Sequence, residues 1–260
     1  MNRAERRRQL KQDERLIANG LSFTRTDADE AIALMRVLRD RLGQAQSAGR
    51  IAPLMGFLHD NFSRSAQRIP RELSACASGC SHCCHMWTAL RAPEALFIKA
   101  AIPSPRQAEI RGLVEAAHAE TGPLSYEQRL GLVRPCPLLQ DDMCSLYAAR
   151  PIVCRTTAST DAGVCARAYR LLSDEDIPQP MVFLNQRTSY SLALAGALRH
   201  AGYPAGAYEF NGALQAALAR PDAEAAWLRG EDLFAGVRLD PAGDPFANPA
   251  LLELYSEAFA

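Results

Sequence analysis

Cysteine is the residue whose placement could do chemistry in this chain. There are eight, Cys76, Cys80, Cys83, Cys84, Cys136, Cys144, Cys154 and Cys165, and none outside that window. The first four read CASGCSHCC, a C-x3-C-x2-C-C cluster, and the next three fall in CPLLQDDMCSLYAARPIVCR. Soft thiolates at such spacing suit zinc, copper(I) and iron–sulfur clusters rather than magnesium or calcium. The N-terminal segment carries charges but no apolar stretch after them, so we read no export signal. In a reducing compartment, grouped thiols are metal ligands rather than disulfide partners.

Four thiolates on zinc(II) leave a net negative charge, and a thiolate-held iron–sulfur cluster is anionic as well, so either centre gains from nearby cations. Arg150 and Arg155 stand close to Cys154 in sequence and are candidates for that role, with Asp141, Asp142 or solvent as their competing partners. Gly79 sits where a thiolate knuckle needs a tight turn. Cys83 and Cys84 are adjacent, and neighbouring side chains tend to diverge. They therefore serve two centres, or one of them packs as a small hydrophobe. His82 and His85 flank the pair as alternative ligands or hydrogen-bonding neighbours. Pairing Cys84 with His85, or Cys83 with His82, as an activated nucleophile is less economical than metal ligation among eight thiols.

The elements that must position these residues follow from periodicity. The chain of 260 residues is 48% apolar, so a core can form without metal. A formal net charge of zero gives no global reason to expect nucleic acid or an anionic membrane. No apolar run approaches the length of a membrane span, and the expectation is a soluble, cytoplasmic protein. Residues 3–16 read as a polar terminal helix with Arg6, Arg7, Arg8 and Lys11 on it. A capping box at Asp27–Glu30 opens an amphipathic helix with Ala31, Leu34, Met35, Val37, Leu38 and Leu42, ended by Gly43 or Gly49. A second helix runs over 51–67.

Residues 86–90 read as a short strand. Helices follow from Pro93 to about 101 and from Ser104 to about 120, the latter with Ile110, Leu113, Val114 and Ala117 on one face. Residues 136–147 read as a hairpin turning at Gln140-Asp141-Asp142, which carries Cys136 and Cys144 to one end of a ribbon. Residues 162–172 form a helix with Cys165 near its start. Helices are expected at 183–201, 206–219 and 222–236, and an irregular tail at 239–249. The histidines His59, His118 and His200 fall on helices and read as structural or exposed. Trp87 and Trp227 read as core residues, and Tyr147 as packed beneath the ribbon beside Arg150. The fold class is mainly α with a short β-hairpin: a cysteine-rich metal-binding subdomain wrapped by helices. The regions are 1–71 (helical), 72–172 (cysteine cluster) and 173–260 (helical).

The two cysteine blocks, CxxxCxxCC and then C-P-x-L with C-x-x-Y-x-x-R-P-x-x-C-R, resemble the YkgJ-like cysteine-cluster family, a zinc- or iron-chelating domain. Cys76, Cys80, Cys83 and Cys84 match its first block. Cys136-Pro137, Cys144, Tyr147, Arg150-Pro151 and Cys154-Arg155 match its second, and Cys165 resembles the closing cysteine of some members. The resemblance implies all eight cysteines as metal ligands, zinc or iron (including a four-iron cluster) as cofactor, and no assigned activity.

The leading reading is a cytoplasmic metal-binding protein whose metal is structural, redox-active or sensory. The alternative is an iron–sulfur, S-adenosylmethionine-dependent modification enzyme related to the flagellin lysine N-methylases, which share a similar cysteine motif. The spacing Cys76-x3-Cys80-x2-Cys83 also meets the minimum for a radical S-adenosylmethionine enzyme. Those enzymes, however, place an aromatic residue where His82 stands and follow it with β/α units. No glycine-rich nucleotide loop is present. The basic N-terminus gives a third reading, RNA contact, which lacks the interleaved aromatics such surfaces use.

Overall fold

The computed structural model describes residues 25–239. The expected helix at 3–16, with its arginines and lysine, lies outside the described residues, as do positions 240–249 of the expected tail.

The first helix, α1 (Arg25–Ala48), buries Ala28, Ala31, Met35, Leu38, Leu42 and Ala45, an alternation of three and four residues that keeps one stripe facing a partner helix. Leu34 lies at the edge of that stripe and Val37 is exposed, because both fall off the seam. Asp27 was expected to cap this helix but stands within its first turn, where it accepts a hydrogen bond from Asn185 Nδ2 at 3.2 Å. Gly49, at φ +63°, follows the last turn and reverses the chain. The second helix, α2 (Ala52–Ala66), buries Leu54, Met55, Leu58, His59 and Phe62.

The expected strand is shorter than the apolar run: β1 (Ala89–Leu90) leads into α3 (Ala92–Ala101). Next come α4 (Gln107–Thr121) and α5 (Tyr126–Leu130). In α4, Ile110, Val114 and Ala117 are buried but Leu113 faces solvent, one position off their face. The hairpin forms as β2 (Leu139–Gln140) and β3 (Met143–Cys144), with Leu139 opposite Cys144. Then follow α6 (Ile152–Thr156), α7 (Ala162–Leu171) and α8 (Met181–His200). The expected helix over 206–219 splits into β4 (Tyr208–Glu209) and α9 (Phe210–Ala219). The expected helix over 222–236 is only α10 (Ala223–Leu228), because Gly230 takes φ +95° and stops it.

Helix α8 packs along α1, and α9 packs on α3 and α4. The second half of α8, Leu192–Leu198, is buried all round, as a helix surrounded on every side must be. The core runs from α1 and α2 through α3 and α8 to α9, with Trp227, Tyr208 and Phe234 fully buried at its far end. Trp87 differs from Trp227: it is only half-buried. Strand β1 pairs antiparallel with β4, Ala89 opposite Glu209 and Leu90 opposite Tyr208. That pairing ties the segment after the cysteine knuckle to the C-terminal helices. No helix among the described residues is long and apolar enough to cross a membrane.

Candidate metal centre

The first cysteine block is a knuckle built by its backbone. Gly79 adopts φ +83°, which closes a turn with Cys80 N donating to Ala77 O at 3.0 Å. A 3₁₀ turn, His82–His85, then carries the adjacent cysteines, with Cys84 N donating to Ser81 O at 2.9 Å. Ser81 O also meets the His85 ring at Nδ1, 3.1 Å away. The Nδ1 of His82 is buried with no partner among the described residues. The neighbouring Cys84 thiol, then burial, pushes the Cys83 thiol far up.

The second block is laid against the first. Cys136 N donates to Cys84 O at 2.8 Å, and Arg134 N to His85 O at 3.3 Å. The hairpin then folds back, and Cys136 and Cys144 come to one cavity as the ribbon geometry requires. Helix α6 returns Cys154 to the same place. Its N-terminus is fixed by Glu94, which is buried. One carboxylate oxygen of Glu94 accepts Ile152 N and the other accepts Arg91 N, each at 2.8 Å. Burial pushes this carboxyl up from its usual range.

Cys165 enters from a third direction. Asp161 caps α7, accepting Gly163 N at 2.7 Å and Val164 N at 3.0 Å. Cys165 is buried, and α7 lies against the 3₁₀ turn of the knuckle. At the other end of α7, Arg170 donates to Ser81 Oγ at 2.8 Å and to Asp142 at 3.3 Å. Ser81 Oγ in turn donates to Asp142 at 2.6 Å. Knuckle, hairpin tip and α7 are therefore joined by one polar knot.

The cysteines influence one another in two groups. Burial first, then Cys76, Cys80 and Cys83, push the Cys165 thiol up. Burial also pushes Cys136 and Cys154 up to about 12, with Cys154 and Cys144 adding at Cys136, and Cys83 and Cys144 at Cys154. Cys83 alone is a neighbour in both groups. Cys83, Cys84, Cys136, Cys144 and Cys154 line one cavity of about 90 Å³. Cys76 is the exposed member, and no disulfide joins any of the eight. Among the described residues no three His, Cys, Asp or Glu side chains are drawn tightly enough to enclose an ion. The fit to a metal therefore rests on the donor set: five soft thiols on one cavity, with three more beside them.

Cations surround these thiols. Arg150 acts on Cys83, Cys144 and Cys154, Arg155 on Cys144, and Arg187 of α8 on Cys83 and Cys154. Arg155 donates to the carbonyls of Arg150 and Ala148 and to His59 Nδ1. Arg187 donates to Thr156 Oγ1 at 3.1 Å and Thr157 Oγ1 at 3.0 Å. No carboxylate forms an ion pair with any of the three among the described residues. Burial lowers Arg155 and Arg187 from their usual range; the charge of buried Glu94 opposes this at Arg155, and no carboxylate does so at Arg187 among the described residues. The Arg150 guanidinium stacks on the Tyr147 ring, 3.6 Å from its centroid. Tyr147 is thus beside Arg150 as expected, but 63% exposed rather than packed under the ribbon.

Arg150 and Arg155 were legible from their place beside Cys154, whereas Arg187 and Glu94 were not. Arg187 lies far along the chain in a helix that reads as ordinary. Its one signal is a lone arginine on a stretch that is otherwise uncharged until Arg199.

Residues 75–177 match the model of a family named CxxCxxCC, described as a "putative zinc- or iron-chelating domain". It is the family that the two cysteine blocks resemble. No curated protein and no solved structure matches the chain.

Proposed function

We propose that the chain is a cytoplasmic metal-binding protein that holds zinc or an iron–sulfur cluster through its eight cysteines, disposed as two centres. Cys76, Cys80 and Cys165 belong to one, Cys84, Cys136, Cys144 and Cys154 to the other, and Cys83 completes the first while touching the second. The observation that carries this reading is the set of three arginines, Arg150, Arg155 and Arg187, gathered against buried thiols with no carboxylate in ion-pair contact among the described residues; buried Glu94 acts on Arg155 without pairing with it. Without metal, burial holds Cys136 and Cys154 protonated at neutral pH, and Arg187 lacks a carboxylate counter-charge among the described residues. A bound cation displaces the thiol protons and leaves thiolates, so both mismatches disappear together.

Zinc in such a site would brace the fold, and an iron–sulfur cluster would carry an electron. Metal and acid-labile sulfide content of anaerobically purified protein, with its visible spectrum, separates them. Iron with sulfide and broad visible absorption supports a cluster, and colourless protein with zinc supports a closed structural site. Protein free of both metals, and unable to take up either, overturns the proposal.

A further inference from the structure

Behind one wall of the cysteine cavity, the junction of β4 and α9 is built around one carboxylate. Glu209 is buried. Its Oε1 accepts Asn211 N at 3.1 Å and Thr121 Oγ1 at 3.2 Å, and its Oε2 accepts Gly212 N at 2.6 Å. His118 Nδ1 adds a fourth contact to Oε2 at 3.1 Å. A helix cap needs only the two backbone donors. The imidazole is a further commitment, and room has been made for it. A Cβ at Gly212 would come within 2.7 Å of His118 Cε1, and one at Gly122 within 2.8 Å. Gly122 has ordinary right-handed helical dihedrals and Gly212 lies inside α9, so neither needs glycine for its backbone.

The ring is therefore held in a slot, with Nδ1 on a carboxylate, and His118 lines the cleft beside it. That cleft measures about 370 Å³, and Arg129 and Arg238 stand in its wall with His118. Arg129 donates to Thr121 O and Gly122 O, each at 3.0 Å, and so offsets the negative end of α4. Arg238 is partly exposed and donates to Asp232. Among the described residues Glu209 is the one carboxylate lining the cleft, and it already receives four donors.

We propose that this cleft binds the phosphate group of a small phosphorylated molecule, with His118 Nε2 and Arg238 as its contacts. A phosphate suits the oriented ring in either protonation state: it can give its own proton to a neutral Nε2 or accept one from the imidazolium. A carboxylate anion can only do the second. The cleft exceeds what a lone phosphate fills, which leaves space for the group that carries it. No cysteine lines this cleft, although Glu209 also lines the cysteine cavity and so forms part of the wall between the two.

The probe is inorganic phosphate, titrated into the full chain and followed by calorimetry and by the imidazole NMR signals. Saturable binding in the range of about 1 mM is expected, weakened about tenfold or more in His118→Gln and in Arg238→Gln. Arg238→Gln removes the ion pair with Asp232 and the contact with the Tyr208 ring but leaves His118 on Glu209, so it reads binding even if the histidine variant folds poorly. No saturation by about 20 mM, or unchanged affinity in Arg238→Gln, overturns the proposal.

Discussion

The carbonyl oxygen of Cys84 accepts the backbone N–H of Cys136 at 2.8 Å. This bond splices two cysteine blocks separated by three helices, α3, α4 and α5. It involves only backbone atoms, so replacing either side chain leaves it in place. Ligand substitutions here should therefore report metal binding rather than the joining of the two blocks.

Cys80→Ser and Cys154→Ser fall in different groups of thiols. Each is expected to lower bound metal by about half, and the double variant to abolish most of it. Metal analysis of the three proteins, purified side by side, checks this. Full metal content in both single variants would remove these residues from the ligand set.

Arg187→Met should act in opposite directions on the two states. The methionine fills similar space without a buried, uncompensated charge. Thr156 and Thr157 keep their own bonds to the carbonyls of Ile152 and Val153. The metal-free protein should thus be at least as stable as the parent, by thermal unfolding. Its metal affinity in chelator competition should fall about 10- to 100-fold, the range for losing a group that supports the ligands. Equal affinity in variant and parent would show that Arg187 does not balance the thiolates.

The course of α1 was legible because Ala31, Met35, Leu38 and Leu42 repeat at helical spacing, and nothing competes with that signal. The hairpin was legible because Asp141-Asp142 separates two short apolar runs. What could not be read was long-range pairing. Leu90 pairs with Tyr208 across more than a hundred residues, and no local pattern marks β4 as a strand rather than the first turn of α9. The cysteine cluster was plain, yet its grouping was not, because spacing says nothing of which thiol meets which. Cys165 joins Cys76 and Cys80 only because α7 packs on the 3₁₀ turn. Arg187 and Glu94 escaped notice for the same reason: each acts through a contact between distant elements.

His59 links α2 to the metal region and gives the fold a pH dependence. Burial, and then Arg155, lower its ring from the usual 6.5 to about 4, and its Nδ1 accepts from Arg155 at 3.3 Å. Between those two pH values the unfolded chain takes up a proton at this ring and the folded chain does not. Stability from this source is complete above pH 6.5 and declines as pH falls towards 4, by up to about 3 kcal/mol. Denaturant midpoints measured across that range should drop more steeply in the parent than in His59→Leu. Parallel curves would show that the ring does not drive the loss.

The hairpin tip sets backbone strain against side-chain bonding. Asp141 and Asp142 occupy φ +49° and +57°, the left-handed pair of a tight two-residue turn in which glycine favours the second position. Asp142 holds that place because its carboxylate binds Ser81 and Arg170, anchoring the tip to the knuckle and α7. Asp141→Gly should relieve strain without touching those bonds and raise stability by at most about 1 kcal/mol. Asp142→Gly relieves the same strain but frees the knuckle from the hairpin. The second change should therefore loosen metal retention under chelator even where its thermal midpoint matches the parent. Retention equal to that of Asp141→Gly would show that the polar knot does not steady the cysteines.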